Sequence, residues 1–304
     1  MLRKIYLAEP RGFCAGVRRA LECVDSVLAR NSSRPLYVLH EIVHNDIIVG
    51  ELKRRGVEFV ESPELLPDGS TLIYSAHGVS LAIEQAAARR HLQVIDASCP
   101  LVKSIHRKAR RWQAAGVQVI LIGHAGHPEV IGTLGQAPGI WLANSAAAVA
   151  KLPAAPDKPV RYLTQSTLSA EEVAPVLAAL RRRYPALAGG GDICYATRNR
   201  QRAVRQLCEM VEAVVVIGSA HSSNSTRLKQ LVEICGRHGY LVNCAAELPL
   251  AELAGFETVG ISAGASAPEY LVAETVELLR REFQVEVATV VTAAERVEFP
   301  LPDF

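Results

Sequence analysis

The sequence predicts an α/β fold of three similar lobes, and two observations carry this prediction. Apolar runs of strand length alternate with segments of helical periodicity throughout the 304 residues, a pattern typical of mainly parallel sheets covered by helices. The same order of one thiol and two polar strand ends also occurs three times. A chain of this length suits two or three units of roughly 100–150 residues, and three such units can meet with their strand ends facing one axis.

The first element is the strand Ile5–Ala8, which ends at a break around Pro10 and Gly12. A helical pattern begins at Val17, so Cys14 lies where the carboxyl end of a strand meets the start of a helix. Ligands bind at such positions in α/β folds, and the backbone N–H groups and helix dipole there favour a thiolate. Cys14 is therefore a candidate ligand.

An internal repeat extends this observation to two further cysteines. Each thiol lies at a strand–helix turn and is followed by two strand ends rich in His, Ser, Thr, Asn and Gly. The three sets are Cys14, His44 and His77; Cys99, His127 and Ser166; and Cys194, Ser222 and Ser266. This order predicts that three thiols meet at one point and are surrounded by polar loops.

The predicted domain boundaries follow the repeat. Residues 1–14 contain the N-terminal strand and the first cysteine, and 286–304 form a C-terminal tail. The three lobes cover 15–98, 99–191 and 192–285. The predicted strands after the first are 36–39, 57–60, 71–74, 92–95, 117–122, 160–163, 214–217, 240–242 and 258–261, and helices lie between most of them.

Composition excludes several classes of protein. A net charge of +2 is too small to indicate nucleic-acid binding. No apolar run reaches the roughly 18 residues that cross a membrane, and the N-terminus enters a strand without an apolar signal segment. We therefore expect a cytoplasmic monomer without nucleic-acid or membrane partners. The basic run Lys103–Arg111 lies on a predicted helix, either as a solvated face or as a docking patch for an acidic protein.

Seven cysteines in a long cytosolic chain favour thiols or metal ligation over disulfides. Three converging thiolates require a metal, because they would otherwise repel one another. Zinc with three sulfurs would need a fourth ligand, normally His, whereas an iron–sulfur cluster on three cysteines leaves one iron open to a substrate. The remaining cysteines are predicted to be core residues: Cys23, Cys208, Cys235 and Cys244.

The polar loops suit anion and proton chemistry. Ser222–Ser225 lie between a strand and a helix, where amides and hydroxyls bind phosphate oxygens or merely cap the helix. Glu129, in a loop beside His127, is the best candidate for a general acid, with a loop salt bridge as the alternative. The run His40–His44 matches the zinc-protease motif H-E-x-x-H, but that chemistry requires a helix, and here the motif continues a strand.

Nine motifs distributed over nearly the whole chain point to one family: PRGFCAGV, HEIVHN, SAHGVS, DASCPLV, IGHAGHPEV, TQSTLS, DICYAT, NSTRL after HSS, and SAGASAP. In these motifs the chain resembles the 4-hydroxy-3-methylbut-2-enyl diphosphate reductase (LytB/IspH) family. The resemblance implies a three-lobed, trefoil-like α/β fold around a central cavity with one 4Fe–4S cluster. It also implies reductive dehydroxylation of (E)-4-hydroxy-3-methylbut-2-enyl diphosphate to isopentenyl and dimethylallyl diphosphate, the last step of the non-mevalonate isoprenoid pathway.

The resemblance also implies roles for individual residues. Cys14, Cys99 and Cys194 would bind the cluster and leave its apical iron open. The diphosphate would be bound by His44, His77, Ser222, Ser223, Asn224 and Ser266, with His127 lining the pocket. Glu129 would supply protons through the hydroxyl of Ser166, which stands where the family usually has Thr. The sequence also departs from the family at Ala220-His221, where a Lys or Asn is common.

Two rival classes stay open. A non-catalytic iron–sulfur redox sensor would not need Glu129 or the Ser222–Asn224 loop, and a zinc-dependent hydrolase would be colourless and indifferent to reductant. An absorption band at the blue end that bleaches with dithionite would indicate iron–sulfur. For the reductase, an acidic ferredoxin or flavodoxin is the expected electron donor, bound by the helix Lys103–Arg111.

Overall fold

The computed structural model describes residues 2–30, 35–154 and 157–302. Its strands are β1 Lys4–Glu9, β2 Leu36–Leu39, β3 Val57–Val60, β4 Thr71–Tyr74, β5 Gln93–Asp96, β6 Gln118–Ile122, β7 Trp141–Ala143, β8 Val160–Thr164, β9 Ala188–Gly189, β10 Ala213–Ile217, β11 His238–Val242, β12 Thr258–Ala263 and β13 Glu286–Val291. Its α-helices are α1 Ala15–Arg30, α2 Asp46–Arg54, α3 Leu81–Arg89, α4 Pro100–Ala114, α5 Pro128–Leu134, α6 Ala146–Val149, α7 Ala170–Arg183, α8 Tyr195–Cys208, α9 Ser223–Ile234, α10 Leu250–Leu253 and α11 Glu269–Phe283.

The strands form three parallel sheets that share one topology. Their orders are β3-β2-β4-β5, β7-β6-β8-β9 and β11-β10-β12-β1-β13. The first four positions of each order are equivalent, and every strand pair in them is parallel. Three lobes of the same construction account for these sheets, so the predicted α/β fold class is confirmed.

The sheets group the repeated residues differently from the sequence order. The strands that end before His44, His77 and Cys99 belong to one sheet, and those that end before His127, Ser166 and Cys194 belong to the next. In the five-stranded sheet, β1 pairs with β12 from Lys4↔Thr258 to Leu7↔Ile261, so Cys14 joins Ser222 and Ser266. The sequence predicted that each repeat begins with its thiol and continues with two polar strand ends. This grouping is wrong, because each thiol follows the last of the four equivalent strands of its sheet.

The chain divides into two compact units. The first unit covers the described residues within 1–17, 44–50 and 195–298 and contains the five-stranded sheet. The second unit covers those within 18–43, 51–194 and 299–304 and contains both four-stranded sheets. Strands β6 and β10 are buried along their whole length, as expected for parallel strands covered on both faces.

Three local features differ from the sequence prediction. The segment predicted as a C-terminal tail begins with β13, which pairs with β1 from Lys4↔Glu286 to Glu9↔Val291. Strand β7 was not predicted, because its three residues are too few to show a period. Cys235 caps the end of α9 and is exposed, so it is not a core residue. No helix in the described part of the chain is both long and apolar enough to cross a bilayer.

Candidate active site

In the first unit, the turn that carries Cys14 is bonded to the turn after β12. The N–H of Cys14 donates to the carbonyl of Ala265 at 3.2 Å. Gly12 has a φ of +64°, and a Cβ there would lie 3.1 Å from the carbonyl oxygen of Ala267. Glycine is therefore needed for this approach, which brings the thiol turn against the turn that carries Ser266.

The N-terminus of α9 in the same unit has the properties of an anion site. Ser222 is its N-cap and accepts a hydrogen bond from the N–H of Ser225 at 3.3 Å. Ser223 is the first helical residue, and Asn224 follows it with an exposure of only 4%. Neither the Oδ1 nor the Nδ2 atom of Asn224 has a hydrogen-bond partner among the described residues. Burying an amide without partners is costly, so the geometry favours a polar ligand at this helix terminus.

The turn at Ser266 joins the segment of His44 to this site. The Ser266 hydroxyl donates to the carbonyl of His44 at 2.9 Å and lies 3.5 Å from the Ser222 hydroxyl. The Asn45 amide donates to the carbonyl of Ser266 at 2.9 Å, and its oxygen accepts from the first N–H groups of α2. Polar groups from the ends of β10 and β12 and from the segment His44–Asn45 therefore meet at Ser266.

In the second unit, Glu129 is buried and is held by Ser166. The exposure of Glu129 is 3%. The Ser166 N–H donates to Oε1 of Glu129 at 2.6 Å, and the Ser166 hydroxyl donates to Oε2 at 2.8 Å. The sequence predicted that Glu129 lies in a loop. The structure places it in the first turn of α5 instead, because Pro128 begins a helix that His127 caps.

The environment of Glu129 shifts its acidity towards neutrality. Burial raises the pKa of Glu129 to about 7, the two Ser166 hydrogen bonds lower it, and the charge of Asp192 raises it. Hydrogen bonds that a carboxylate accepts favour its charged form, but here desolvation outweighs them. A carboxyl group with this pKa can both hold and release a proton near pH 7.

The two predicted pocket histidines of this unit lie next to each other. The rings of His77 and His127 meet edge to face, with centroids 5.8 Å apart and an interplanar angle of 89°. Nδ1 of His127 accepts from the N–H of Glu129 at 3.1 Å, so the neutral ring carries its proton on Nε2. The Ser75 hydroxyl lies 3.3 Å from Nδ1 of His77. Both rings are thereby oriented by their own loops.

One backbone hydrogen bond recurs at all three predicted cluster ligands. The N–H of Cys99 donates to the carbonyl of Ala76 at 3.0 Å, and that of Cys194 to the carbonyl of Ser166 at 3.0 Å. These bonds repeat the bond from Cys14 to Ala265, since each joins a thiol turn to the polar turn of the neighbouring strand. The three thiols thus occupy equivalent positions in three equivalent lobes.

Thiolates are the usual ligands of iron–sulfur clusters, so the chemistry of Cys14, Cys99 and Cys194 fits such a cluster. All seven cysteines lie in the described residues as thiols, and Cys14, Cys99 and Cys194 are half-buried. By contrast, burial raises the pKa of Cys23 to about 11 and that of Cys208 to about 12, as expected of core thiols, while Cys244 packs at the edge of the core. Within residues 2–30, 35–154 and 157–302, no three His, Cys, Asp or Glu side chains are grouped to hold a metal ion.

The H-E-x-x-H run does not form a helix. Residues 40–45 are a loop between β2 and α2, and His40 has a φ of +54°. Its Nδ1 lies 2.9 Å from the Glu61 carboxylate. Two histidines in a loop do not share a helical face, so the motif lacks the geometry of a zinc protease.

Sequence reasoning missed Asp192 and Gln165. The side chain of Asp192 is buried, pairs with Lys108 at 2.6 Å and accepts from the N–H of Thr164 at 3.2 Å. Gln165 accepts from the N–H of His124 at 3.0 Å and donates to Thr167 at 3.0 Å, which fixes the turn before Ser166. Both lie within two residues of a predicted site residue and inside motifs that carry the family resemblance, TQSTLS and DICYAT, and this was the available signal.

Comparison with known proteins gives one consistent result. The model of the LytB protein family matches residues 5–280. A 4-hydroxy-3-methylbut-2-enyl diphosphate reductase of Burkholderia pseudomallei (strain 1026b) is 47% identical over 98% of this chain and 96% of its own, and one of Azoarcus sp. (strain BH72) is 46% identical over the same shares. The solved structure of the E-1-hydroxy-2-methyl-but-2-enyl-4-diphosphate reductase from Plasmodium falciparum is similar with a TM-score of 0.96 and 36% identity, covering 99% of this chain and 96% of that one.

Proposed function

The chain belongs to the LytB protein family, and from this premise we propose that it is a 4-hydroxy-3-methylbut-2-enyl diphosphate reductase. It would reduce (E)-4-hydroxy-3-methylbut-2-enyl diphosphate to isopentenyl and dimethylallyl diphosphate. The observation that carries the proposal is the buried Glu129 carboxyl group, which accepts two hydrogen bonds from Ser166 and whose pKa burial raises to about 7. Removal of a hydroxyl group as water requires such a proton donor.

The family binds an iron–sulfur cluster, and we assign a 4Fe–4S cluster to Cys14, Cys99 and Cys194. The assignment of all three thiols to one cluster rests on the sequence, on the family and on their equivalent backbone positions. When bound, such a cluster supplies single electrons and a Lewis-acidic iron. The three turns would hold the thiolates at helix N-termini, where the helix dipole favours negative charge.

In the first unit, the residues around α9 would bind the diphosphate. The Asn224 amide has no hydrogen-bond partner among the described residues, and Ser222 and Ser266 place their hydroxyls 3.5 Å apart. We assign diphosphate binding to His44, Ser222, Ser223, Asn224 and Ser266 of this unit. Charged oxygens that accept from these donors make stronger hydrogen bonds than neutral acceptors do.

In the second unit, His77 and His127 would supply further donors to the substrate, and Glu129 would supply the proton. The proton resides on a Glu129 oxygen, and the Ser166 hydroxyl at 2.8 Å from Oε2 can relay it. Ser keeps this hydroxyl where the family usually has Thr, so the relay is intact. The surrounding burial excludes water that would compete for the proton.

The electron donor would be an acidic ferredoxin or flavodoxin that binds α4. Of the five basic residues in Lys103–Arg111, Lys103 and Lys108 bind carboxylates of their own unit at 2.6 Å. Arg107, Arg110 and Arg111 are exposed and would therefore contact the donor.

The test is an anaerobic assay of the purified holoprotein with reduced methyl viologen and (E)-4-hydroxy-3-methylbut-2-enyl diphosphate. We expect a visible band that bleaches with dithionite, and both five-carbon diphosphates as products by mass spectrometry. Iron-free protein, or an iron–sulfur protein whose spectrum the substrate leaves unchanged and which forms no product, would refute the reductase. The second result would favour the redox sensor.

A further inference from the structure

Three buried or half-buried cations share one relationship to the three thiol turns. Each lies on the helix that directly follows one cysteine, and each binds the turn that precedes another cysteine. The pairs are Arg19 of α1 with the turn before Cys99, Lys108 of α4 with the turn before Cys194, and Arg200 of α8 with the turn before Cys14. Sequence spacing does not reveal this pattern, because the three cations follow their cysteines at different distances.

Arg19 binds the turn before Cys99 through backbone carbonyls. Its exposure is 7%. Its Nη1 donates to the carbonyl of Ser98 at 3.1 Å and its Nη2 to that of Asp96 at 3.4 Å, while its Nε donates to the carbonyl of Pro300 at 2.7 Å. The planar fork thus joins the residue next to the cysteine to the C-terminal segment, which a lysine cannot do with the same geometry.

Arg200 binds the turn before Cys14 in the same manner. It is completely buried. Its Nε and Nη2 both donate to the carbonyl of Gly12, at 3.0 and 2.6 Å, and its Nη1 pairs with the Glu295 carboxylate at 3.1 Å. A buried guanidinium retains its charge, so its position is determined by these partners.

Lys108 uses a carboxylate instead of a carbonyl. Its Nζ lies 2.6 Å from Oδ1 of Asp192, whose side chain has an exposure of 1%. The other oxygen of Asp192 accepts from the N–H of Thr164 at the end of β8. Asp192 precedes Cys194 by two residues, the same separation as Gly12 from Cys14.

We propose that Arg19, Lys108 and Arg200 are positioning residues for the cluster, each of which holds the turn of one thiolate ligand. This inference rests on the proposed function, since it takes the three cysteines as the cluster ligands. Residues that bind and orient metal ligands tune metal affinity without touching the metal. Two of the three cations bind backbone carbonyls and the third binds a carboxylate. Because the contact recurs with different acceptors, we infer that the contact between a cation and each thiol turn is itself what the fold requires.

The test measures how fast the anaerobic holoprotein loses iron to bathophenanthroline disulfonate after reduction with dithionite. The variants are Lys108→Met, which keeps the aliphatic stem, Arg19→Lys and Arg200→Lys. The matched controls are Arg202→Met and Arg18→Lys, because both residues are exposed cations on α8 and α1. Lys108→Arg keeps the charge beside Asp192 and tests for rescue.

We expect Lys108→Met and Arg19→Lys to release iron about 10- to 100-fold faster than the native protein, the range typical of such residues. The controls and Lys108→Arg should stay close to the native rate, and the electron paramagnetic resonance spectrum of the reduced cluster should change only in the first group. If Arg200→Lys does not fold, the other two variants decide.

Three results would overturn the proposal or its premise, and they are distinguishable. Native protein without iron would refute the cluster itself, and hence the proposed function. Native protein with a cluster, together with unchanged iron release in Lys108→Met and Arg19→Lys, would refute the positioning role alone. Faster release that only parallels a lower thermal midpoint of the iron-free variants would assign these cations to fold stability and would also refute that role.

Discussion

Ser166 binds both oxygens of the Glu129 carboxyl group, with its N–H at 2.6 Å from Oε1 and its hydroxyl at 2.8 Å from Oε2. One residue therefore fixes the plane of the carboxyl group. These hydrogen bonds favour the charged carboxylate, whereas burial disfavours it and raises the pKa of Glu129 to about 7. The result is an immobile carboxyl group that is half protonated at neutral pH, which a general acid requires.

Replacing Glu129 with Gln should abolish most turnover but preserve the site. Gln has the same shape, and its amide oxygen can still accept from the Ser166 N–H, but it has no acidic proton. We expect a fall in kcat of about 10²- to 10⁴-fold, the usual contribution of a general acid, measured with reduced methyl viologen. The visible spectrum and its change on adding substrate serve as controls. Native turnover in this variant would remove Glu129 from the role of acid.

The pH dependence of kcat/KM should report the titration of Glu129. Because the protonated carboxyl is the active form and its pKa is raised to about 7, activity should fall about tenfold per pH unit above that value. Ser166→Ala removes a hydrogen bond that favours the carboxylate, so the fall should begin at a higher pH. Ser166→Thr keeps the hydroxyl and should retain the native midpoint. If the pH midpoint of Ser166→Ala equals that of the native protein, Ser166 does not influence the pKa that this profile reports.

Glu129 should also make the fold less stable as pH rises. The folded state holds the proton of Glu129 up to about pH 7, whereas the unfolded chain releases it near the ordinary pKa of 4.5. The free energy of unfolding therefore decreases between these values, by about 3 kcal/mol for a shift of this size, and is then constant.

The check is the thermal midpoint of the anaerobic holoprotein at about pH 5 and about pH 8, which together span most of this interval. Glu129→Gln should lose less stability than the native protein between these values. Burial lowers the pKa of His106 to about 4, which acts with the opposite sign, but this contribution is common to both proteins and cancels. Equal losses in both would show that Glu129 ionises at its ordinary pKa.

The sequence predicted the strand ends well because apolar runs such as β6 and β10 are continuous and end at Gly or polar residues. It did not predict that Cys14 belongs with Ser222 and Ser266. That grouping depends on β1 pairing with β12, two strands far apart in the chain, and tertiary packing rather than local propensity determines such a pair.

The residues of the candidate site show the same contrast between local sequence pattern and long-range contacts. Glu129 could be chosen as an acid from its neighbours in sequence, but its burial and its two bonds to Ser166 are contacts between separate strand ends. Cys235 was predicted as core because it lies inside a helical pattern, yet α9 ends just before it and leaves it exposed as the C-cap, and helix ends are the least certain part of such a pattern. Local pattern selected the candidate residues, and long-range contacts determine the burial and hydrogen bonds of their side chains.

Asn224 should contribute to substrate binding and not to stability. Both polar atoms of its buried amide lack protein partners in the described structure, so removing them breaks no internal hydrogen bond. Asn224→Ala should raise KM for the diphosphate substrate about 10- to 100-fold, the loss expected for one hydrogen bond to a charged group. Its thermal midpoint should fall no further than that of Ser225→Ala.

Ser225→Ala is the matched control, because Ser225 is a buried neighbour on α9 whose hydroxyl also lacks a partner within the described residues. Its hydroxyl packs against Gly218 and Gly264 and is not among the groups to which we assign diphosphate binding, so the KM of this variant should stay near the native value. An unchanged KM in Asn224→Ala would exclude Asn224 from the diphosphate site.

The exposed arginines of α4 should determine the efficiency of an acidic electron donor. Arg107, Arg110 and Arg111 are exposed, whereas Lys103 and Lys108 are held by carboxylates of their own unit. Opposite charges at the edge of an interface mainly raise the association rate, and salt screens them. Replacing the three arginines with Gln should therefore raise KM for an acidic ferredoxin, and this KM should depend less on ionic strength than that of the native protein. KM for the diphosphate substrate, measured with reduced methyl viologen, separates this effect from damage to the site. A native KM for ferredoxin at low salt would assign donor binding to another surface.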